Sequence, residues 1–414
     1  MEIKDFVCTG CALLCDDIGI KTEGNTIEKT YNTCRKGAAR IRGDEERMTC
    51  TIKGREENID KAITEAARIL SEANKPMIYG LGNSSLEAQK KAIELASKLS
   101  AYLDDTSSFC QGPVVEAILE GKVPTCTLDE VRHLADMILF WGSDPASSHP
   151  RHLSRFSYFP RGEKRQRGWE ENRTAIVIDV RKSDTSEICN KNFYRIPPGS
   201  DGELIDALTA ALNGKIPKVS FGMSSKEILE LANLLKKAEF GTIFAGLGLV
   251  YSLPEIEPMI KLIEALNKSS NFHLMPMVGQ YNMRGFNHLL FEKTGYINRV
   301  KFDGNKVDHG PHCSVMEVLN SGETDAMLII GSDPLGCFPK SIAEKLKNIP
   351  TIVIDPARTF TSMIADVSIP SAYTGTEAAG NAVRMDGEKV EITPFIDSKK
   401  LSDEEILKRI LEAI

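Results

Sequence analysis

Three short patterns each occur twice in the same order, and they constrain the fold more than any other feature of the chain. Each is an apolar run that stops at Gly, Ser or Asp. The pairs are residues 77–82 and 243–248, 137–145 and 327–334, and 175–181 and 351–358. Such runs are typical of parallel strands that are buried on both faces. The repetition predicts an α/β protein with two related, doubly wound lobes.

The polar residues at the ends of these runs are candidate ligand-binding groups. The carboxyl ends of parallel strands line a ligand crevice in doubly wound sheets. Glycine lets backbone N–H groups approach a phosphate, and a terminal aspartate accepts hydrogen bonds from a sugar or base. The predicted nucleotide-binding residues are Gly82, Gly142, Ser143, Asp144, Asp179, Arg181, Gly248, Gly331, Ser332, Asp333, Asp355 and Arg358. The alternative is a gene duplication without a ligand.

Four cysteines near the N-terminus follow the spacing Cys8-x2-Cys11-x3-Cys15-x18-Cys34. Thiolates are the ligands that iron–sulfur clusters use, so this spacing predicts a [4Fe–4S] cluster. Residues 18–27 alternate around a Glu-Gly-Asn turn, which predicts a hairpin that returns the fourth cysteine. Structural zinc is the alternative, although only one C-x-x-C knuckle is present. Cys50 is a second candidate for the fourth ligand.

A cation follows the fourth cysteine. Lys36 is predicted to lie beside the cluster, where its charge would favour the reduced state, or else to be a solvated loop lysine.

Composition excludes several classes of function. The net charge of −7 argues against a general nucleic-acid binder. No stretch approaches the ~20 apolar residues that span a bilayer. Residues 1–20 resemble neither a signal peptide nor a twin-arginine leader, so a cytoplasmic location is expected. In that compartment, clustered cysteines more often bind metal than form disulfides.

The cluster, the hairpin, residues 35–37 and the doubled Gly-Ser-Asp-Pro pattern together resemble the molybdopterin oxidoreductases that bind two pterin guanine dinucleotides. Within that superfamily the match looks like the B subunits of formylmethanofuran dehydrogenases. The most specific segments are residues 107–113, 148–152, 279–287 and 377–384. The resemblance implies a small N-terminal iron–sulfur domain and two pseudo-repeated α/β lobes that resemble formate dehydrogenase domains I–III.

The resemblance also assigns roles to individual residues. Cys110 would supply a thiolate to molybdenum or tungsten, although a lone cysteine is more often a buried apolar residue. Gln111 stands where formate dehydrogenases have histidine, so it could orient a carboxylate but not relay a proton. Arg284 would hold an oxygen of formate or carbon dioxide, or else a pterin phosphate. His149 is a further polar neighbour of the metal.

Gln280 and Asn282 lie in a segment of the resemblance and are implied to be cofactor-binding residues. The implied cofactors are a [4Fe–4S] cluster, two molybdopterin guanine dinucleotides, and tungsten or molybdenum. The implied domains are residues 1–55 for the cluster, 56–215 and 216–390 for the two lobes, and 391–414 for a terminal segment. That last segment contains a predicted amphipathic helix with Ser402 as its N-cap.

The implied function is a catalytic subunit that reversibly reduces carbon dioxide to formate, with electrons that pass through the cluster. A stand-alone formate dehydrogenase is one alternative, and an electron-relay or scaffold subunit without pterin is another. The implied partners are a small subunit that replaces a fourth domain, an amidohydrolase-like formyl-transfer subunit and a ferredoxin-like iron–sulfur subunit. Neither nucleic acid nor membrane is an expected partner. The basic segment 151–173 receives no specific role, and residues 309–313 are interpreted as a loop.

Overall fold

The computed structural model describes residues 1–43, 46–168, 172–189, 192–304 and 306–414. The strands are β1 Glu2–Phe6, β2 Ile18–Glu23, β3 Thr26–Tyr31, β4 Thr51–Ile52, β5 Arg55–Glu56, β6 Pro76–Gly80, β7 Tyr102–Asp104, β8 Met137–Trp141, β9 Thr174–Asp179, β10 Phe193–Arg195, β11 Gly241–Ala245, β12 Phe272–Pro276, β13 Val300–Asp303, β14 Lys306–His309, β15 Ala326–Ile330, β16 Thr351–Asp355, β17 Val367–Pro370, β18 Gly380–Val383 and β19 Lys389–Ile392.

The described helices are α1 Arg35–Arg42, α2 Ile59–Glu72, α3 Leu86–Lys98, α4 Gly112–Leu119, α5 Leu128–Leu134, α6 Pro145–Ser148, α7 Asp184–Ile188, α8 Asp201–Leu212, α9 Ser225–Leu235, α10 Leu247–Ser252, α11 Glu257–Leu266, α12 Met283–Thr294, α13 Val315–Ser321, α14 Pro334–Cys337, α15 Lys340–Ala343 and α16 Asp403–Ala413. Within the described part of the chain, each helix is too short or too polar to span a bilayer.

One compact unit is continuous in sequence and comprises Cys110–Gly279. Its sheet has five strands in the order β10-β9-β8-β11-β12, and every neighbouring pair is parallel. Strands β8 and β11 are buried along their whole length, because helices cover the sheet and supply the apolar side chains of its core. Trp141 at the end of β8 is fully buried, and its indole N–H donates to Asp201 at 2.7 Å.

The other compact unit is discontinuous and comprises Met1–Phe109 with Gln280–Ile414. Its largest sheet has nine strands in the order β14-β13-β7-β6-β15-β16-β17-β4-β5. The five central strands are parallel, and the strands at both edges are antiparallel. Successive residues alternate between two cores: Ile78, Leu328 and Ile330 belong to one, whereas Met77 and Tyr79 belong to the other. Side chains that alternate across a pleated strand explain this division.

Two local predictions in the discontinuous unit are confirmed. Strands β2 and β3 form the antiparallel hairpin that the sequence indicated, with Gly24 at φ +56° in its turn. The C-terminal helix α16 begins after Ser402, whose side chain accepts a hydrogen bond from the Glu405 N–H. Both features depend on residues that are close in sequence, which is why turn and capping chemistry predicted them.

The predicted domain boundaries do not coincide with the compact units. The first apolar run, β6, pairs with β15, so it belongs to the same sheet as the second copies of the other two patterns. Conversely, β11 pairs with β8 in the continuous unit. The five central strands of the discontinuous unit, in the order β17-β16-β15-β6-β7, therefore correspond one for one to β10-β9-β8-β11-β12. Each unit combines one part of each copy of the repeat, whereas consecutive lobes were predicted.

Candidate functional site

The N-terminal cysteines come together in the discontinuous unit. The chain between them folds back on itself, because the Cys8 N–H donates to the Cys15 carbonyl at 2.9 Å and the Leu14 N–H donates to the Cys11 carbonyl at 3.2 Å. Cys34 is the N-cap of α1, and a Cβ placed on Gly37 would lie 2.9 Å from the Cys8 sulfur and 3.7 Å from the Cys34 sulfur. None of the four cysteines is in a disulfide bond. The strand, the turn and the helix start thus converge on one thiol-rich site.

Charge and hydrogen bonds at this site suit a bound metal group. The Gly10 N–H donates to the Cys8 sulfur at 3.4 Å, and the Gly37 N–H donates to the Cys34 sulfur at 3.3 Å. Burial raises the pKa of Cys8 to about 12 and also raises the pKa of Cys11, which the charge of Lys36 partly offsets. Thiols that are this hard to ionise become thiolates when a metal supplies positive charge.

The spacing of the sulfurs bears on the two kinds of metal site, a cluster or a single zinc ion, that the sequence left open. A single zinc ion needs its sulfur ligands within about 4 Å of one another, since each Zn–S bond is about 2.3 Å. Among the residues that the structure describes, no three of the four sulfurs lie within 4.8 Å of one another. A cubane places each ligand on a different iron and so holds the sulfurs further apart. The residues present therefore fit a [4Fe–4S] cluster.

The two Gly-Ser-Asp-Pro loops have the same internal geometry. In the continuous unit, Asp144 accepts from the Thr185 hydroxyl at 2.6 Å and from the Thr185 N–H at 3.2 Å. In the discontinuous unit, Asp333 accepts from the Thr361 hydroxyl at 2.6 Å and from the Thr361 N–H at 2.8 Å. Both aspartates were predicted to bind a nucleotide. In the structure each holds the segment that follows the neighbouring strand, and nucleotide binding by these aspartates stays a prediction.

The serines and glycines of these loops also make internal contacts. Ser143 donates to the Phe244 carbonyl at 3.3 Å, and Ser332 is hydrogen-bonded to the Tyr79 phenol. The Gly248 N–H donates to the Gly142 carbonyl at 3.0 Å. Gly142 and Gly331 adopt nearly the same left-handed conformation, at φ +59° and +58°. These glycines are therefore required for the turn, whether or not a ligand is present.

The predicted cofactor residues Gln280 and Asn282 support the Gly82 loop. A Cβ on Gly82 would overlap the Gln280 side chain, whose carbonyl oxygen accepts from Thr106 at 2.7 Å. The Asn282 N–H donates to the Gly82 carbonyl at 2.9 Å, and its side-chain amide donates to the Ser84 carbonyl at 2.8 Å. Gln280, Asn282 and Gly82 thus have a structural role in this loop, and cofactor binding by them stays a prediction.

The predicted binding residues after the third apolar run are two aspartates, which accept from the backbone, and two arginines, which lie near acidic side chains. Asp179 and Asp355 each accept a hydrogen bond from a backbone N–H two residues later, at 3.3 and 2.8 Å. Arg358 pairs with Glu46 at 2.8 Å. Burial is the largest influence on the pKa of Asp144 and raises it. The hydrogen bonds from Thr185 and Ser147, together with the charge of Arg181, outweigh burial and lower that pKa. The aspartates turn the chain at the strand ends.

Cys110, Gln111 and His149 all lie in the continuous unit. Cys110 is half-buried and directly precedes Gln111, the N-cap of α4. Gln111 is fully buried, and within the described chain neither of its amide atoms has a hydrogen-bond partner. His149 is hydrogen-bonded through Nε2 to the Val278 carbonyl at 2.7 Å, so that nitrogen donates. His149 is thus held in place, whereas the side-chain amide of Gln111 has no partner among the described residues.

Arg284 lies on α12 in the discontinuous unit and is almost completely buried. Within the described residues, its Nε and Nη1 atoms have no hydrogen-bond partner. Burial lowers the pKa of Arg284 to about 10, and Asp386 opposes that shift. One turn along the helix, burial and then the charge of Arg284 lower the pKa of His288 to about 4. A buried cation with free donors is costly unless an anion or a polar group pairs with it.

Two acids at the end of β7 are buried more deeply than any sequence pattern suggested. Asp104 accepts from the Arg299 N–H at 3.1 Å and from the Val315 N–H at 2.8 Å. Asp105 accepts from Ser107, whose hydroxyl also accepts from Asn298 at 2.7 Å. Consecutive acids that directly follow an apolar strand were the available signal. Their buried network supports residues 106–109, which lead to Cys110.

The basic segment 151–173 has an internal role in its described part, and residues 169–171 lie outside the described residues. Arg173 is buried, and its guanidinium donates to the carbonyls of Ala135 and Tyr158 at 3.2 and 3.1 Å. Arg165 donates to the Leu134 carbonyl at 2.9 Å and pairs with Glu239 at 2.8 Å. These two arginines hold the basic segment against the rest of the continuous unit.

Comparisons with known proteins identify relatives over the full length of the chain. It is 37% identical over 430 residues to the B subunit of the tungsten-containing formylmethanofuran dehydrogenase 2 of Methanocaldococcus jannaschii, with 100% of the chain and 98% of the relative covered. The corresponding protein of Methanococcus maripaludis is 36% identical, with 100% and 99% covered. The B subunit of the formyltransferase/hydrolase complex Fhc of Methylorubrum extorquens is 24% identical over 69% of the chain and 75% of its own length.

A solved structure shares the fold. It belongs to the formyltransferase/hydrolase complex (FhcABCD) of Methylorubrum extorquens, in complex with methylofuran. The superposition has a TM-score of 0.71 at 22% identity and covers 88% of this chain and 98% of that chain. No protein-family model matches the sequence.

These comparisons contradict the prediction of a molybdenum or tungsten bis-pterin oxidoreductase with formate dehydrogenase domains. The shared fold occurs in a complex named for formyl transfer and hydrolysis, and the full-length relatives are B subunits of larger enzymes. The predicted carbon dioxide-reducing catalytic subunit and the formate dehydrogenase-like fold are therefore wrong. The doubled Gly-Ser-Asp-Pro loops had supported that prediction, and within the protein their aspartates accept hydrogen bonds from Thr185 and Thr361.

Proposed function

Because the chain belongs to the family of formylmethanofuran dehydrogenase B subunits, we propose that it is part of a formylmethanofuran dehydrogenase complex and carries a [4Fe–4S] cluster for it. The family supports the complex, and the convergence of Cys8, Cys11, Cys15 and Cys34 supports the cluster. When bound, the cluster supplies one-electron transfer. An electron-relay role follows, and it requires partner subunits that exchange electrons with this chain.

The protein groups at the four cysteines would favour cluster binding in four ways. The four thiolates ligate iron, and the N–H groups of Gly10 and Gly37 donate to two of the sulfurs. Hydrogen bonds to the sulfurs and a nearby cation stabilise the added negative charge of a reduced cluster. Lys36 is the cation whose charge acts on Cys11. Gly37 leaves room beside the Cys8 sulfur that a larger residue would fill.

The cluster is tested on anaerobically purified native complex. We expect about four irons and four labile sulfides per chain from this site, as a cubane requires. Cys11→Ala should remove them, because one ligand of a buried site is lost. Cys337→Ala is the matched control, since Cys337 is exposed and far from the N-terminal cysteines in sequence. Stoichiometric zinc at the four thiols would refute the cluster.

We also propose that Cys110 is a ligand of tungsten, because the names of two full-length relatives include that metal. A thiolate is a soft ligand that suits such a metal. The support from the structure is the buried amide of Gln111 next to it, which has no partner within the described chain. We expect Cys110→Ala to lower the tungsten content of the complex and to leave its iron content unchanged. Tungsten content equal to that of Cys337→Ala would exclude this role.

A further inference from the structure

The hairpin of β13 and β14 ends in a cluster of three metal-ligating side chains. Asp308 lies on β14, and His312 and Cys313 lie in the short 3-10 turn Pro311–Cys313 that follows. One ligand atom from each residue lies within 4.8 Å of the other two, and Asp308 Oδ2 is 2.9 Å from His312 Nε2. We propose that Asp308, His312 and Cys313 form a Zn²⁺ site that is separate from the N-terminal cysteines.

The donor set and its spacing fit zinc. Zinc takes cysteine sulfur at about 2.3 Å and histidine nitrogen or carboxylate oxygen at about 2.0–2.2 Å, which places tetrahedral ligands about 3.3–3.8 Å apart. The observed separations need only a small side-chain adjustment to reach these values. Three protein ligands leave the fourth position for water. A thiolate with an imidazole also disfavours Mg²⁺ and Ca²⁺, which prefer oxygen ligands alone.

The backbone holds the three donors close together. Gly310 has φ +151°, which only glycine adopts readily, and a Cβ there would lie 3.0 Å from the His312 ring. The Cys313 N–H donates to the Gly310 carbonyl at 3.0 Å, which closes the turn. Residues 309–313 resemble a metal knuckle but were interpreted as a loop, because further ligands nearby were not apparent from the sequence. Asp308 supplies a third ligand, because the turn brings His312 back over the end of β14.

The Cys313 sulfur is buried, whereas the other two ligands, Asp308 and His312, are accessible to solvent. The side chains of Asp308 and His312 are 56% and 61% exposed, whereas Cys313 is fully buried. A metal ion can therefore approach from solvent and meet the thiol below. A bound divalent ion would supply the positive charge that stabilises the Cys313 thiolate.

A lysine on the neighbouring strand leaves the site accessible. Lys301 is the cross-strand partner of Asp308, but its ammonium lies 4.8 Å from the centre of the Tyr102 ring. That cation–π contact directs the lysine toward the aromatic face.

Cobalt(II), a spectroscopic substitute for zinc, tests the proposal on the full-length protein with its iron content measured beforehand. Wild type should bind one more Co²⁺ per chain than His312→Ala and should show thiolate-to-cobalt charge-transfer absorption. Asp308→Asn should weaken binding at least tenfold, because it removes a charged ligand. Asp303→Asn is the matched control on the same hairpin and should bind like wild type.

His312 is exposed, so His312→Ala tests the site without disturbing the core. Equal Co²⁺ stoichiometry in wild type and His312→Ala would overturn the proposal. So would Co²⁺ binding without charge-transfer absorption, because Cys313 would then not be a ligand. The iron content should be the same in every variant. Such a result would show that the cobalt site is independent of the proposed N-terminal cluster.

Discussion

At the scale of single residues, the chain buries acids to organise its loops. Asp104 and Asp105 are both fully buried at the end of β7, with backbone and hydroxyl donors around them. Burial raises the pKa of Asp104 to about 6, although its hydrogen bonds oppose the shift. Burial and the neighbouring Asp104 also raise the pKa of Asp105. These carboxyls position residues 106–109 at the cost of a charge held away from water.

This burial predicts a pH dependence of stability. A carboxyl whose folded pKa is raised binds a proton more tightly in the folded state than in the unfolded state. Its contribution to the free energy of unfolding is therefore fully present below about pH 4, and it is lost as pH rises through about 6. Wild type should lose stability over this interval more steeply than Asp104→Asn. Asp105 shifts in the same direction, so part of the slope should remain in the variant.

Urea denaturation at a series of pH values measures this slope. Asp303→Asn, an exposed acid on β13, is the control and should follow the wild-type profile. Parallel profiles for wild type and Asp104→Asn would show that Asp104 titrates normally in the folded protein.

At the scale of elements, the same glycine turn follows β8 and β15, but the space for a side chain differs between the two turns. Gly142 and Gly331 follow these strands with nearly equal positive φ values. A Cβ on Gly142 would lie 2.3 Å from the Leu249 nitrogen and 2.8 Å from the Gly248 carbonyl carbon. A Cβ on Gly331 would meet its nearest neighbour, the Asn83 Cβ, at 3.3 Å. The backbone of α10 therefore makes the first position stricter.

Substitution by alanine should separate these two effects. Both variants place a side chain in the left-handed region, which costs about 1–2 kcal/mol. Gly331→Ala should lose about this amount of stability, because its neighbour can shift slightly. Gly142→Ala should lose clearly more, since its Cβ overlaps backbone atoms that cannot move alone. Urea denaturation midpoints measure both losses, and equal losses would contradict the packing argument.

At the scale of the whole molecule, two equivalent sheets are assembled from an interleaved repeat. The continuous unit Cys110–Gly279 contains a complete five-stranded sheet with its own apolar core. The discontinuous unit takes β6 and β7 from before that segment and β15, β16 and β17 from after it. Each unit thus carries the same strand order through a different chain path.

This partition predicts which fragment folds. Residues 110–279 expressed alone should unfold cooperatively in urea, because every strand of their sheet is present. Residues 56–215, the lobe suggested by the order of the motifs, should not, since they contain β6 and β7 of one sheet with β8, β9 and β10 of the other. Circular dichroism during denaturation distinguishes the two fragments. A cooperative transition for 56–215 alone would refute the partition.

Features that depend on residues close together in the chain were predictable from the amino-acid sequence alone. The β2–β3 hairpin, the capped helix α16 and the repeated strand ends all follow from turn residues, capping residues and apolar runs. Cysteine spacing likewise predicted an N-terminal metal site, which stays a prediction. Local patterns of this kind are readable because the interactions that stabilise them join residues only a few positions apart.

The pairing of the strands and the hydrogen-bond partners of the polar groups, in contrast, became known only from the folded protein. Because β6 and β11 have the same pattern, nothing local distinguishes β15 from β8 as the partner of β6. Asp144 and Asp333 looked like free ligand-binding groups, yet each meets a threonine that lies 41 or 28 residues further along the chain. Such choices depend on burial and hydrogen bonding across the whole fold, which the order of residues records only indirectly.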